Sequence, residues 1–494
     1  MSIRYSFILL VYFIGLFFGV SMRILGILAG IAVFVAAYIF FEESQLKEPV
    51  MLSSNELVTV FQLDNGMKVL VQEDDRSNVV VSQVWYKVGS SYEPKGKTGM
   101  SHVLEHMMFK GTPSYPSGKF SEIVALNGGR ENAFTSKDYT AYFQRISSDR
   151  LELCLKLEAD RMVNLTLDED EFKKEIEVVK EERRLRTEDK PTSLTYEKFN
   201  ATAFQDGAYH HPIIGWMEDL DNMKASDMID WYKKWYTPNN ATLVVSGDVK
   251  ADEVVKLANK YFGRIKPREI PSHHIATETP QTKSRFIEVA IPAQVPYVML
   301  GYKVPSLLQA KTEEQIDDVY ALEVLSGLLD GGNSARMTKN LVRGREIASS
   351  AGVSYNPYDR LNTLFVLSGL PSGKSSIPEL KTALLDELEE IKHKLPEQIE
   401  LDRVKAQVIA ADVYEKDSMF YQAMQLGILE TTGLGWHKKD EYLEKISAVT
   451  PLQVQLVAKK YFNEETLTVA ELKPLPMKNM KRKNSMNGGG RHAR

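Results

Sequence analysis

The chain has 494 residues, which is too long for one hydrophobic core, so we expect about two to four domains. It is 43% hydrophobic and 26% charged, a balance typical of globular proteins rather than of disordered or fibrous ones. A formal net charge of -5 argues against a nucleic-acid partner, and a single cysteine, Cys154, excludes a disulfide within the chain.

Two apolar stretches stand at the N-terminus, at residues 5–22 and 24–41, and only Arg23 separates them. Each is close to the length that crosses a bilayer, and neither has the polar face of a helix on a globular core. We expect residues 1–45 to be an uncleaved membrane anchor, with the rest of the chain outside the cytoplasm, on the periplasmic side of the inner membrane in a bacterium. If translation begins at Met22, only the second apolar stretch remains as a membrane span. The alternative is that the segment is a signal peptide, which is removed so that the protein is secreted.

The region from about residue 56 to residue 265 alternates between predicted strands and helices. Two strands flank a turn at Asp64-Asn65-Gly66, and the apolar stretch "NVVVSQVWYKV" predicts a third strand. A helix is predicted from about Gly99. This alternation indicates a mixed α and β domain.

A linker rich in Pro, Ser and Thr is predicted at residues 266–285, and the pattern then returns over residues 286–475. "VWYKVGS" before the linker reappears after it as "LGYKVPS", and "KKWYTPNNATLVV" reappears as "KKYFNEETLTV". We therefore predict two halves with one plan. "YALEV" in the second half falls opposite "HVLEH" in the first, so the glutamate recurs while both histidines are replaced. Packing at this position does not require histidine, and the second half is expected to lack metal ligands.

The segment "HVLEH" contains His102, Glu105 and His106. In a helix, residues four apart lie about 40° from each other, so both imidazoles can reach one metal ion. Two neutral ring nitrogens favour zinc, and Glu105 lies off their axis, where it can reach a water molecule better than the ion. We predict one Zn2+ per chain and assign Glu105 as the general base of a hydrolytic reaction.

A third ligand is expected on the acidic helix at residues 168–191, which Asp168 caps and Pro191 ends. Glu175 and Glu182 are separated by two helical turns, so they share the face beside the apolar stripe of this helix. Most of its other acidic side chains are interpreted as a solvated charged face. Spacing alone does not choose between the candidates.

These motifs resemble those of the pitrilysin/insulinase family of zinc endopeptidases, across residues 56–475. The chain is most similar to the branch that contains the β subunit of the mitochondrial processing peptidase and its bacterial relatives. The resemblance implies that His102, His106 and Glu182 hold the zinc ion. It implies that Glu175 assists catalysis. The implied fold is α+β, with two homologous α/β-roll halves that form a clamshell after the N-terminal transmembrane segment.

The same resemblance implies how the substrate is held. "GGRENAFTSKDYTAY" is similar to the family's edge strand, which binds an extended peptide as an added strand. Its centre supplies the predicted substrate-binding residues of the first half: Asn132, Ala133, Phe134 and Thr135.

The second half departs from the pattern of many relatives, in which an arginine and a tyrosine grip the substrate. Here Arg343 and Arg345 remain, the tyrosine position holds Ser349, and Tyr355 is displaced. Either Tyr355 takes the role, or a homologous chain supplies the pair in a homo- or hetero-dimer. These residues are retained as candidate substrate contacts.

The sequence thus predicts a zinc-dependent metalloendopeptidase acting on extended peptides or unfolded protein segments. The alternative is a non-catalytic or weakly active scaffold or partner subunit of the same fold. A zinc hydrolase that does not cleave peptides is a third interpretation, which the edge-strand resemblance disfavours. The basic tail at residues 478–494 is expected to be disordered.

Overall fold

The computed structural model describes residues 46–55, 57–272 and 276–477. The predicted membrane anchor at residues 1–45 and the basic tail at residues 478–494 lie outside these ranges. Among the described residues, no helix combines the length and the apolar character that crossing a bilayer requires.

The first half contains a mixed seven-stranded sheet in the order β1-β2-β3-β7-β4-β6-β5. Its strands are β1 (Val50–Ser54), β2 (Val58–Gln62), β3 (Lys68–Glu73), β4 (Val79–Tyr86), β5 (Arg130–Thr135), β6 (Thr140–Ser147) and β7 (Ala241–Gly247). Its helices are α1 (Met100–Met107), α2 (Lys119–Leu126), α3 (Leu151–Asn164), α4 (Glu169–Arg183), α5 (Pro191–Ala203), α6 (Met217–Asn222), α7 (Ala225–Trp235) and α8 (Ala251–Phe262).

The second half contains a five-stranded sheet in the order β10-β11-β9-β12-β8. Its strands are β8 (Arg285–Pro292), β9 (Tyr297–Val304), β10 (Ala348–Ser354), β11 (Thr363–Pro371) and β12 (Leu467–Leu475). Its helices are α9 (Glu313–Asp330), α10 (Ile377–His393), α11 (Gln398–Lys416), α12 (Met419–Thr432), α13 (Lys438–Ala448) and α14 (Pro451–Tyr461).

The two sheets share one topology. The order β3-β7-β4-β6-β5 recurs as β8-β12-β9-β11-β10, and the parallel pair β3/β7 recurs as β8/β12. The sheet of the first half differs by the added strands β1 and β2. The short sequence matches that led us to predict a repeat lie in equivalent elements: the first in β4 and β9, the second from the ends of α7 and α14 into β7 and β12.

Each half covers a face of the other half's sheet with one helix. Helix α12 of the second half packs against β4 and β7, and α5 of the first half packs against β8, β9 and β12. The first contact is so close that a Cβ atom on Gly427 would lie 2.0 Å from the Trp85 ring, so only glycine fits there. This exchange of helices buries apolar residues from both halves in shared clusters.

Helix α4 begins as predicted and ends differently. The Asp168 carboxylate accepts hydrogen bonds from the backbone N–H groups of Asp170 (2.9 Å) and Glu171 (3.0 Å), which makes it the N-cap. The helix ends at Arg183 and continues as a π-helical turn, Arg184–Glu188. The prediction that Pro191 ends this helix was wrong, because Pro191 is the first residue of α5. Proline is suited to that position, since the backbone N–H that it lacks would have no partner within the helix.

Candidate metal centre

Helix α1 presents its two histidines on the face opposite the core. Val103, Leu104 and Met107 are fully buried against the sheet and its helices. His102 and His106 occupy the remaining face, one turn apart, and their ring centroids are 4.8 Å from each other. The apolar spacing of the sequence therefore decides which way the imidazoles face.

The start of α1 is held by a buried carboxylate. Glu93 accepts hydrogen bonds from the backbone N–H groups of Gly99 (2.6 Å) and Ser101 (2.7 Å). Burial raises the pKa of Glu93 to about 8, against the opposing effect of these two bonds. Gly99 has a φ of 91°, and a Cβ atom there would lie 2.7 Å from the Ile214 carbonyl oxygen, so the position requires glycine.

Three side chains converge beside this helix. The Oε2 atom of Glu182 lies 3.3 Å from Nε2 of His106 and 3.9 Å from Nε2 of His102. Ligand atoms around a tetrahedral zinc ion are about 3.4 Å apart, given bonds of about 2.0–2.2 Å. The spacing and the His₂Glu donor set therefore fit zinc with a fourth position open. No second group of metal-ligating side chains of this kind occurs in the described ranges.

The two candidate carboxylates of α4, Glu175 and Glu182, lie at different places around the cluster. Nδ1 of His106 donates to Glu175 at 2.9 Å, which leaves Nε2 free to face the ion, and Lys110 forms an ion pair with the same carboxylate. Arg186 lies 2.7 Å from the second oxygen of Glu182. Glu175 therefore lies behind His106, on the Nδ1 side of its ring, whereas the Glu182 carboxylate lies on the Nε2 side of both histidines.

The charges around the two histidines differ. Burial, with a smaller contribution from the neighbouring His106, lowers the pKa of His102 to about 3. Burial also opposes the charge of His106, but its bond to Glu175 and the carboxylates of Glu182 and Glu105 outweigh burial and raise its pKa. His102 is thus neutral at pH 7, as a metal ligand must be. The carboxylates of Glu105, Glu175 and Glu182 around His106 also favour a bound cation at this site.

Glu105 lies close to His106, and its carboxylate is bonded to the edge strand. Its Oε2 atom accepts a hydrogen bond of 2.5 Å from the hydroxyl of Thr135, the last residue of β5. Burial raises the pKa of Glu105, and the bond from Thr135 partly offsets this shift. A mostly buried carboxylate beside a metal site has the placement of a general base.

Strand β5 forms the border of the sheet next to α1. It pairs with β6 on one side only, so its outer edge has no strand partner among the described residues. Phe134 packs edge-on against Trp85 at 5.5 Å, and the Asn132 side chain accepts from the backbone of Ala133 at 2.9 Å. The four predicted substrate residues therefore lie on an open edge beside the predicted metal ligands.

The predicted residues of the second half have their described hydrogen bonds and ion pairs within that half. Arg343 donates to the carbonyl of Asn333, and Arg345 lies 3.8 Å from Glu387. The hydroxyl of Tyr355 donates to the Pro305 carbonyl at 2.8 Å. All of these partners belong to the second half, and the substrate contacts expected of these three residues remain a prediction.

Sequence reasoning missed several residues that support the site. Lys110 and Arg186 each follow a predicted ligand by four residues, so helical spacing was a signal that pointed to them. The Thr135 bond to Glu105 had no such signal, because it joins a strand to a helix distant in sequence.

The chain matches two sequence models of one protein family. The family described as "Insulinase (Peptidase family M16)" matches residues 68–216, and "Peptidase M16 inactive domain" matches residues 222–408. The "Zinc protease PqqE" of Helicobacter pylori is 36% identical over 360 residues, which are 72% of this chain and 78% of that protein. The chain belongs to peptidase family M16. The first match contains the whole candidate metal centre of this M16 chain.

Other relatives agree with this membership. The "Uncharacterized zinc protease YmxG" of Bacillus subtilis is 26% identical, over 83% of this chain and 97% of that protein. A crystal structure of a protease from Helicobacter pylori has a TM-score of 0.79 and 32% identity, and covers 84% of this chain and 99% of that one. The structure of a "peptidase M16 inactive domain" from Pseudomonas fluorescens shares the fold of this M16 chain, with a TM-score of 0.75 at 18% identity, over 85% of this chain and 99% of that one.

Proposed function

We propose that the chain is a zinc-dependent metalloendopeptidase that hydrolyses extended peptides or unfolded protein segments. The observation that carries the proposal is the convergence of His102, His106 and Glu182 at zinc spacing, with Glu105 alongside. Membership of a family whose relatives are named zinc proteases supports it. The open edge of β5 offers a place for a peptide in extended conformation.

The residues have distinct roles in this proposal. A zinc ion held by the cluster would act as a Lewis acid toward the scissile carbonyl and acidify a water molecule. The Glu105 carboxylate takes a proton from that water and delivers it to the leaving amine. Thr135 holds this carboxylate in place, and Glu175 and Lys110 keep the His106 ring oriented.

A peptide-library digestion tests the proposal directly. We expect the purified protein to cleave peptides, to lose this activity in a chelator and to regain it when Zn2+ is returned. Metal analysis of the same sample should give about one zinc per chain. A protein that binds no zinc and cleaves nothing would instead be the scaffold or partner subunit of the alternative interpretation.

We predict that the isolated chain is a slow peptidase and that a homologous chain bearing the Arg/Tyr pair accelerates it. An oxyanion donor is typically worth about 3–4 kcal/mol, a factor of about 100–1000 in rate. The Tyr355 hydroxyl is engaged by the Pro305 carbonyl, so it is not positioned to replace that donor. Steady-state rates with and without the added chain check this. Brisk activity of the chain alone, together with a large loss in Tyr355→Phe, would contradict it.

Two further features belong to the proposal. Residues 1–45 are proposed to attach the chain to a membrane, with the peptidase region outside the cytoplasm, on the strength of their two apolar stretches. The two halves are proposed to enclose the substrate as a clamshell. Fractionation of the full chain against a version that begins at residue 46 tests the first point, because only the full chain should sediment with membranes.

A further inference from the structure

A buried polar network joins the second half to the turn that follows strand β5. Nε of Arg360 donates to Oδ1 of Asp138 at 3.1 Å, and the backbone N–H of Arg360 donates to Oδ2 at the same distance. Asp138 also accepts from the hydroxyls of Ser91 (2.8 Å) and Tyr209. Arg360 and Asp138 are 7% and 3% exposed. This crossing network, formed by Ser91, Asp138, Tyr209 and Arg360, therefore contains a nearly dry ion pair between the two halves.

The carboxylate and the guanidinium of this pair are both held tightly. The four bonds to Asp138 use both of its oxygens, which is the condition for burying a charge without leaving it unsatisfied. Arg360 also donates to Ser91 at 2.8 Å and lies 4.4 Å from the centre of the Tyr92 ring. Such a fork-like set of contacts fixes position more strictly than a single surface ion pair does.

Asp138 belongs to the turn at residues 136–139, and this turn is also bonded to the segment at residues 89–91 of the first half. The backbone N–H groups of Ser90 and Ser91 donate to the carbonyls of Ser136 (3.1 Å) and Lys137 (2.8 Å). A Cβ atom on Gly89 would lie 2.3 Å from the Ser136 carbonyl oxygen, so the approach is very close. The turn is thus clamped between the 89–91 segment and the second half.

The clamped turn directly follows the residue that holds the general base. Thr135 precedes Ser136, and its hydroxyl donates to Glu105 at 2.5 Å. Thr135 also pairs with Thr140 across the β5–β6 hairpin, so the turn determines where its side chain lies. Asp138, which binds Arg360, is only three residues from Thr135 along the chain.

We propose that Arg360 is a positioning residue for catalysis: from the second half it fixes the 136–139 turn, and through Thr135 it places the Glu105 carboxylate. This inference rests on the proposed peptidase function. It gives the second half a role in the reaction that does not require its residues to touch the substrate.

Arg360→Lys tests the inference, because it keeps the charge and removes the fork of donors. A misplacement of about 1 Å far from the reacting atoms can lower a rate by about 100-fold, so we expect kcat to fall by a factor of about 10–100. Zinc content should stay at the wild-type value and KM should change much less than kcat. Tyr209→Phe removes a single hydroxyl of the crossing network and should lower kcat in the same direction, which covers the case of an Arg360 variant that does not fold.

Glu278→Gln is the matched control. Glu278 also bridges the halves, because it accepts from the backbone of Gly207 at 2.8 Å and pairs with Arg285 at 3.2 Å and with Lys303, yet none of these partners contacts the 136–139 turn. Its kcat should remain close to the wild-type value. An unchanged kcat in Arg360→Lys, or an equal loss in Glu278→Gln, would overturn the inference.

A double-mutant cycle with Thr135→Val tests the route. If Arg360 acts through Thr135, the double variant should lose no more kcat than Thr135→Val alone, whereas independent roles would make the two losses multiply.

Hydrogen exchange keeps the inference separate from the proposed function, because it needs no turnover. Backbone amides of residues 130–147 should exchange faster in Arg360→Lys than in Glu278→Gln. Equal exchange in the two variants would overturn the positional link even if the protein is an active peptidase. A wild-type protein without chelator-sensitive cleavage would instead defeat the proposed function.

Discussion

Replacing Glu105 by glutamine is expected to lower peptide hydrolysis by a factor of about 100–10000 while zinc remains bound. The amide is nearly the same size and can still accept the hydrogen bond from Thr135, but it cannot take a proton. Because Glu105 is not a member of the converging ligand set, its loss should leave the metal site intact. Single-turnover rates and zinc content, measured on the same preparation, check both parts of the expectation.

The repeat supplies a matched control for this variant. Glu323 of α9 occupies the position of Glu105 in the second half and accepts from the Tyr442 hydroxyl at 2.6 Å. Glu323→Gln makes the same chemical change in a helix that carries no histidine, so we expect no comparable loss of turnover. Near wild-type turnover in Glu105→Gln would show that this carboxylate is not the base.

The sequence predicted the part of the site that lies on single helices. The spacing of His102, Glu105 and His106 is local, and the apolar positions between them decide which face of α1 is buried. The candidate for a third ligand was harder to choose, because Glu175 and Glu182 share a face of α4. The structure separates them by the ring nitrogen that each one faces: Glu175 is bonded to Nδ1 of His106, and Glu182 lies near Nε2.

Contacts between distant segments could not be predicted in this way. The bond from Thr135 to Glu105 and the ion pair of Asp138 with Arg360 depend on how sheet, helix and second half are assembled. The hydrophobic periodicity of the sequence indicates single helices and strands, but not how they pack against one another. The hydrogen bond from Tyr355 to the Pro305 carbonyl, which joins residues 50 positions apart, is another contact of this kind.

The topology of the fold was predicted better than its boundaries. The alternation of strands and helices and the recurring segments led to two equivalent halves, and the two sheets have the same strand order. The exchange of α5 and α12 between the halves was not foreseen. Neither helix has a strongly one-sided apolar face, so nothing local in their sequences shows which sheet they cover.

Removing a metal ligand is expected to have an effect at least as large as removing the base. His102→Ala, His106→Ala and Glu182→Gln each leave two protein ligands, so zinc per chain should fall from about one to near zero, and hydrolysis should disappear with it. Zinc content after gel filtration measures this directly. Glu181→Gln is the matched control for the acidic helix, because Glu181 is adjacent to Glu182 but 57% exposed and paired with Arg184.

Glu175→Gln separates the two assignments on α4. If Glu175 only orients His106 from behind, its loss should weaken zinc affinity by a factor of about 10–100 without emptying the site at saturating zinc. The glutamine oxygen can still accept from Nδ1, but the ion pair with Lys110 is lost, so hydrolysis should also fall. A Glu175→Gln protein that holds no zinc, beside a Glu182→Gln protein that stays fully loaded, would reverse the roles assigned to these two carboxylates.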